Sequence, residues 1–515
     1  MKKYLLAIDA GTGSGRAVLF DLKGNQLAIG QREWSHKREE GVADSMEFEC
    51  EKNWGLLCEC IKEAVKSVDP KDILAVSATS MREGIVLYDE KGKELWAVAN
   101  VDARASKEVK ELKELFTGIE EHFYEHSGQT FALGALPRLL WLKKNRREIY
   151  DRVHKISMIS DWVLARLCGV IASDPSNAGT SGIFSLSKRE WESSFAKRVG
   201  IKDDIFPPVY ECGEVIGEVI SNDCGLSKTT KVVMGGGDVQ LGSAGLAVVK
   251  EAQTAILGGT FWQQVVNIKN PKPPKDMSIR INPHVVKGLS QAEGITFFSG
   301  MAMRWFKEAL CQNEIKEAKK LKIDTYELLE RKALDVPVGS YGILPIFSDV
   351  MRYGKWYHAS PSFLGLGLDS EKYNIASMFR SLEENAAIVS AENLENISRF
   401  SEVESDEIVF AGGASKGFLW PQILSSVCAK AVKVPKVKEA TALGCAIAAG
   451  VGAGIYKSVP EGALELVEWE KSFEPNMKDH QIYKEIRYRW KRAYESQLKL
   501  VDENITEAMW KAPGL

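Results

Sequence analysis

At 515 residues the chain can hold two or three domains, and 45% hydrophobic with 27% charged residues is the balance of a globular protein folding in water. A net charge of −3, with both signs scattered, leaves no basic field for nucleic acid or an anionic membrane surface, so neither is expected as a partner. No apolar run is long enough to span a bilayer, and the five-residue run after Met1-Lys2-Lys3 is too short for a signal-peptide core. The nine cysteines are an odd number without a disulfide framework, and Cys50, Cys58 and Cys60 fit no common zinc spacing, so a reducing cytoplasm is expected.

The chain opens on a strand, Tyr4 to Ile8, running into a small polar segment with three glycines, Asp9 to Gly15. Arg16 to Phe20 reads as a returning strand, Leu22 to Asn25 as a turn and Gln26 to Trp34 as a third strand. Glycines let backbone N–H groups approach an anion; Thr12 and Ser14 add hydroxyl donors, Arg16 a fixed charge, and Asp9 an oxygen ligand for a metal ion. The set reads as a phosphate-and-magnesium cradle, with an ordinary hairpin turn as the bland alternative. A Walker loop needs a Gly-Lys-Ser/Thr that is absent, and a dinucleotide fingerprint needs glycine where Arg16 stands.

Glu51 to Val68 has helical apolar spacing, and Asp72 to Ser80 is a strand leading into Met81-Arg82-Glu83-Gly84, followed by the strand Ile85 to Tyr88. Arg82 and Glu83 are either a surface ion pair or a donor–acceptor pair for substrate hydroxyls. Helix-rich sequence follows Asn100 to Arg104 as far as about Arg152, and Ile156 to Gly169 reads as a strand end entering a helix with Asp161 near its start. Asp174 to Thr180 is a polar loop of the kind that lines sites. The strand Lys231 to Met234 enters Gly235-Gly236-Gly237-Asp238, where glycines bend the backbone and expose either a functional carboxylate or a solvated one.

A boundary near Leu246 to Gln253 divides the chain into residues 1–247 and 248–515. The second part opens as the first does, with an apolar strand, the glycines and hydroxyl of Gly258-Gly259-Thr260, and a strand from Phe261 to Val266, which points to an internal duplication with a ligand between the halves. Gly300 opens a helix; Ile408 to Phe410 is a strand followed by Ala411 to Gly417 and a helix from Phe418, a further phosphate or nucleotide candidate. Thr441 to Gly454 is a helix of Ala and Gly built for close packing. Asp479 to Lys499 is amphipathic, with Ile482, Ile486, Trp490 and Tyr494 on one face.

In this order the pieces resemble the FGGY family of carbohydrate kinases. The resemblance covers essentially the whole chain and rests on Asp9 to Arg16, Ser80 to Glu83, Asp102 to Arg104, Leu136 to Trp141, Ser160 to Trp162, Gly236 to Asp238, Leu257 to Thr260, Ala411 to Ala414 and Ala442 to Ala446. It implies an α/β fold of two duplicated actin/hexokinase-type (ribonuclease H-like) domains with ATP in the cleft between them. Longer runs (80–88, 100–105, 235–242, 257–267, 345–349 and 510–515) are similar to a branch of the family that phosphorylates 4,5-dihydroxy-2,3-pentanedione.

The resemblance also assigns roles. Asp238 is the expected general base; Arg82, Glu83, Asn100, Gln240 and Asp238 are expected at the acceptor. Thr12, Gly13, Ser14 and Arg16, then Gly259 and Thr260, are the two phosphate loops. Gly300, Arg304, Gly413 and Lys416 complete the ATP site, and Asp9 holds Mg2+. Two positions depart from the pattern: Asn100 stands where many members have Trp, and Gly13 where the first loop usually has a second Thr. The alternatives are another sugar or polyol kinase of the family, a non-catalytic ATP-binding protein of the same fold, and a dinucleotide-dependent oxidoreductase, which Arg16 disfavours. A homo-oligomer or a regulatory protein partner stays open.

Overall fold

The computed structural model describes residues 2–221, 223–347, 349–350 and 356–514; Met1, Ser348 and Leu515, quoted above, lie outside them. Two mixed sheets organise the chain. The first has six strands in the order Val215–Glu218, Lys231–Gly237, Ile73–Ser80, Tyr4–Ala10, Ser14–Asp21, Gln26–Glu33. The second has seven, Arg280–Pro283, Ser290–Thr296, Trp262–Ile268, Thr254–Gly258, Glu407–Gly412, Ala431–Pro435 and Trp469–Phe473. In each, an antiparallel meander is followed by two strands parallel to its first strand and closed by an antiparallel edge. This repeated topology is the duplication that the two Gly-Thr openings point to.

The opening strand is apolar from Leu5 to Ile8 because both its faces are covered. Leu6, Ile8 and Ala10 pack in one core with the helices Cys50–Val65 and Ile159–Cys168, whereas Leu5 and Ala7 pack in another with the helix Ala440–Gly452. That last helix comes from the second half of the chain. The limits 1–247 and 248–515 therefore fall between the sheets but not between the cores, since Ala440–Gly452 and Val459–Leu466 both return to the first sheet.

The Ala- and Gly-rich composition of Ala440–Gly452 is needed for contact with the short helix Asp238–Ala244. A Cβ on Gly444 would come within 1.8 Å of the Leu241 carbonyl oxygen, and one on Gly245 within 1.9 Å of that of Ala440.

Three local expectations change, and one strand appears that was not expected. Gly235–Gly237 belong to the strand rather than to a turn after it; its pairing with Ile73–Ser80 shifts register between Val233 and Gly236, and glycine is required because a Cβ on Gly235 would lie 1.8 Å from the Ala78 carbonyl oxygen of the neighbouring strand. Asp174–Thr180 is not a loop but a buried helical turn, Pro175–Ala178 followed by Gly179–Ser181, capped by the Asp174 carboxylate. On the helix Met477–Asp502 the buried face carries Tyr483, Ile486, Trp490 and Tyr494, while Ile482 is 47% exposed. A strand over Glu94–Val98, for which the sequence carries no strong signal, pairs with Ile85–Tyr88. The nine cysteines are free thiols, and among the described residues no helix is long and apolar enough to cross a membrane.

Candidate active site

The parallel strands of the first sheet end together, and their ends carry the chemistry. Asp9 pairs in register with Thr79, as does Gly236, so Asp9 and Asp238 sit at the same edge. Asp238 is the first residue of its helix; behind it, Ser176 Oγ accepts from the Gly237 N–H at 2.9 Å, which is what the capped turn 174–178 contributes. Two fifths of the Asp238 side chain is open to the cleft. The low-dielectric walls nevertheless push its carboxyl up to about 6, against the pull of Arg82 and with a further push from Glu83.

Arg82 is not on the surface: it is 3% exposed, with Nε 3.6 Å from Asp238 Oδ1 and Nη1 2.6 Å from Glu293 Oε1. Glu83 follows in a left-handed backbone conformation, φ 62°, uncommon outside glycine. That conformation is held from both sides. The Glu83 N–H donates to Thr180 Oγ1 at 3.2 Å, and Arg138 donates to the Glu83 carbonyl and, at 2.9 Å each, to those of Asn100 and Asp102. Burial alone would raise the Glu83 carboxyl, but Arg280 and Arg82 outweigh it and hold it below the ordinary value. Arg280 Nη2 donates to Glu83 Oε1 at 2.6 Å, and its strand belongs to the second sheet, so the Arg82–Glu83 pair is bracketed by both halves.

Arg82, Glu83, Asn100 and Asp238 line one cavity of about 790 Å3, together with Gln263, Arg280 and aromatic residues of the second half. Gln240 does not line it. Its side chain is fully buried and donates to Glu293 Oε1 at 2.8 Å, so it reaches the site only through Glu293 and Arg82.

A second cavity of about 910 Å3 lies within the second half and brings together Gly259, Thr260, Gly300, Arg304, Gly413 and Lys416. The buried Trp262 and Trp420, ring centroids 4.7 Å apart, line its deeper wall. Glu330 accepts from the Phe418 N–H at 3.0 Å, at the start of the helix Leu419–Cys428. The two cavities meet at one loop: Gly258, Gly259 and Thr260 face the larger, Phe261 and Gln263 the smaller.

Thr12, Gly13, Ser14 and Arg16 line neither cavity. The first loop is joined to the smaller cavity by Thr12 Oγ1, 3.3 Å from Asn100 Oδ1, and its backbone is pinned by Trp34, whose backbone N–H donates to the Gly13 carbonyl at 3.1 Å. Arg16 pairs at 2.8 Å with Glu439, just before the helix Ala440–Gly452. Burial, with Asp238 and Glu439 adding to it against Arg16, pushes the Asp9 carboxyl up to about 7. A carboxyl so placed gains from a nearby cation.

Sequence patterns miss Glu293, Arg280, Glu439 and Glu330. The one available signal is Glu293 itself, a single acidic residue in the wholly buried strand Ser290–Thr296.

Gly300 gives a direct test of the larger cavity. Its N–H donates to the Thr260 carbonyl at 3.1 Å, and a Cβ there would lie 2.2 Å from the Gly259 oxygen. Overpacking of this kind costs about 1–3 kcal/mol. Gly300→Ala should therefore lower Tm and, if the resemblance places ATP at Gly300, lower ADP affinity in a calorimetric titration as well. Unchanged affinity would separate this loop from the nucleotide.

The "FGGY family of carbohydrate kinases, N-terminal domain" matches residues 4–245, and the C-terminal domain of the same family matches residues 261–453. Autoinducer-2 kinase of Escherichia coli (strain K12) is 54% identical over 520 residues, covering 100% of this chain and 98% of the relative. The Salmonella typhimurium (strain LT2) autoinducer-2 kinase is also 54% identical, over 518 residues, 99% of this chain and 98% of the relative. Among solved structures, a ligand-bound xylulose kinase from Lactobacillus acidophilus superposes with a TM-score of 0.85 at 19% identity, covering 96% of this chain and 98% of that one. Plasmodium falciparum glycerol kinase with ADP gives 0.83 at 20% identity, with 96% and 98% covered. The two sheets, the paired cavities and both domain matches agree: the chain belongs to the FGGY family of carbohydrate kinases.

Proposed function

We propose that the chain transfers the γ-phosphoryl group of ATP to the primary C5 hydroxyl of 4,5-dihydroxy-2,3-pentanedione, the precursor of autoinducer-2, in quorum-sensing signal processing. The observation that carries the substrate is the 54% identity to proteins named autoinducer-2 kinase over the entire chain. The 1–247 half supplies the acceptor groups and the general base, and the 248–515 half the nucleotide cavity.

The acceptor lies in the smaller cavity, with Arg82 donating to and Glu83 accepting from its oxygens. Asp238 orients the C5 hydroxyl and takes its proton as that oxygen bonds to the γ-phosphorus; the bond from phosphorus to the bridging oxygen breaks, and its electron pair leaves on ADP. The loop 258–263 touches both cavities, which supports it as the place where the two substrates meet. Gly259 and Thr260 hold phosphate there, and Thr12, Gly13, Ser14 and Arg16 close on it from the facing strand ends. Gly300, Arg304, Gly413 and Lys416 hold the nucleoside side. Much of the rate comes from positioning and charge stabilisation by these groups.

The residues present fit a magnesium ion. Such an ion is bound through one or two carboxylates, water and phosphate oxygens rather than by an all-protein cage, and the half-buried Asp9, with Asp238 near it, offers that set. Bound there, it would neutralise phosphate charge. The nine free thiols support a reducing, cytoplasmic setting.

The test is a coupled ADP-release assay with MgATP, offering the dione beside glycerol, xylulose, ribulose and gluconate. Turnover strongest on the dione is expected. Turnover on a sugar with none on the dione would reject the substrate and leave the fold and Asp238 untouched.

A further inference from the structure

The cavity that holds Asp238, Arg82 and Glu83 is closed on its second-half side by an apolar surface that the assigned roles do not use. Trp356, Phe297 and the run Trp510 to Gly514 all line it. Trp510 stacks on Phe297 with ring centroids 4.9 Å apart and meets Trp356 edge-on at 5.1 Å. The run is fixed in place: Tyr357 and His358 pair with Lys511 and Trp510 as a short antiparallel ladder, and the Ala512 N–H donates to the Trp356 carbonyl at 2.9 Å. Its far end reaches the first half, where a Cβ on Gly514 would lie 2.5 Å from Val109 Cγ1. Five consecutive residues thus bridge the two halves across one side of the acceptor cavity.

We infer that this aromatic wall, with Trp510 at its centre, receives the methyl end of the acceptor and sets its specificity. The inference rests on the dione reading above and extends it to the other end of the molecule. The dione is amphipathic along its length. At C5 and C4 it carries hydroxyls, which the charged groups Arg82, Glu83 and Asp238 meet. At C1 it ends in a methyl group, where a ketopentose carries a hydroxymethyl. The ring faces of Trp510 and Phe297 stabilise the methyl and offer a hydroxyl no hydrogen bond. Position 100 is polar here, so the first half supplies no large aromatic at that point, and the aromatic residues lining this cavity come from the second half. The nucleotide cavity contains none of the residues 510–514, so the wall acts on the acceptor alone.

The test compares wild-type protein with Trp510→Ala and Trp510→Phe, reading kcat/KM for the dione and for ribulose, ADP affinity and Tm. An apolar pocket discriminates against an added hydroxyl by about 10²-fold. Trp510→Ala should raise KM for the dione and lower the dione-to-ribulose ratio about tenfold or more, with ADP affinity unchanged. Trp510→Phe should keep most of the ratio. An unchanged ratio in a Trp510→Ala protein that still binds ADP overturns the wall while leaving the substrate assignment intact. Absence of dione turnover by wild-type protein overturns the substrate assignment and, with it, the wall's ligand. Should Trp510→Ala fail to fold, saturation-transfer NMR on wild-type protein decides: stronger transfer to the C1 methyl protons than to the C5 methylene supports the wall, and equal or weaker transfer overturns it.

Discussion

Asp238→Asn should give a folded protein that turns over the dione about 10²–10⁴-fold more slowly than wild type, because it removes a general base and little else. The carboxylate sits at the start of its helix with Arg82 3.6 Å away, so the amide fits the same space and changes only the proton chemistry. The pH dependence follows from the cause of the shift. Burial raises the Asp238 carboxyl to about 6, so wild-type kcat/KM for the acceptor should fall as pH drops below about 6, where the base is protonated, and level off above it. Stability runs the opposite way. An Asp whose folded value lies above its unfolded value binds more protons folded than unfolded between the two. Its ionisation therefore destabilises the fold progressively as pH rises from the ordinary 3.8 toward about 6. Asp238→Asn, having no proton to lose, should match wild type in Tm at pH 4 and equal or exceed it at pH 7. Turnover near wild type would remove Asp238 from the reaction; a lower Tm at pH 7 would show that its charge supports the fold.

The parts of the site that the sequence discloses are those built from neighbours in the chain. Asp9 ends a strand buried on both faces, so an apolar run stops at one carboxylate. Gly258-Gly259-Thr260 ends another, and the two stretches look alike because the sheets behind them share a topology. Gly235–Gly237 are legible as special, but a run of glycines reads equally as a bend or as room for a neighbour; the register shift beside them and the nearby Ala78 carbonyl show both at work.

What stays hidden is made by residues far apart. Glu293 meets Arg82 across 211 positions, and Arg280 meets Glu83 across 197. Neither sits in a motif, and Arg280 opens a four-residue strand that no periodicity marks. Gln240 shows the converse. It lies two positions after Asp238, so proximity in sequence suggests the acceptor, yet its side chain faces back into the core and serves Glu293. The helix Met477–Asp502 carries the same lesson. Ile482 is apolar and exposed, whereas Tyr483 is buried because its hydroxyl reaches Glu384 at 3.0 Å, a partner that hydropathy does not register.

That hidden network makes the second large prediction. Glu293 Oε1 accepts from Arg82 Nη1 at 2.6 Å, Gln240 Nε2 at 2.8 Å and Asn282 Nδ2 at 2.7 Å, and Glu293 is 2% exposed. Arg82 is the only cation among these contacts. Arg82→Met therefore removes the proposed donor to the acceptor and also strands a buried carboxylate, a change that costs about 3–5 kcal/mol of stability in comparable buried pairs. Activity should drop about 10²-fold or more. The two losses have different causes and can be separated. Glu293→Gln on the Arg82→Met background removes the stranded charge and keeps an amide oxygen for Gln240 and Asn282. The double variant should regain most of the lost Tm and none of the lost kcat/KM. Glu293→Gln alone should lower kcat more than it changes ADP affinity, since Arg82 then lacks the partner that aims it at the cleft. In the thermodynamic cycle the stability terms should couple strongly and the activity terms should be dominated by Arg82. Recovery of turnover in the double variant would mean that Arg82 serves the fold alone and that Glu83 and Arg280 hold the acceptor without it.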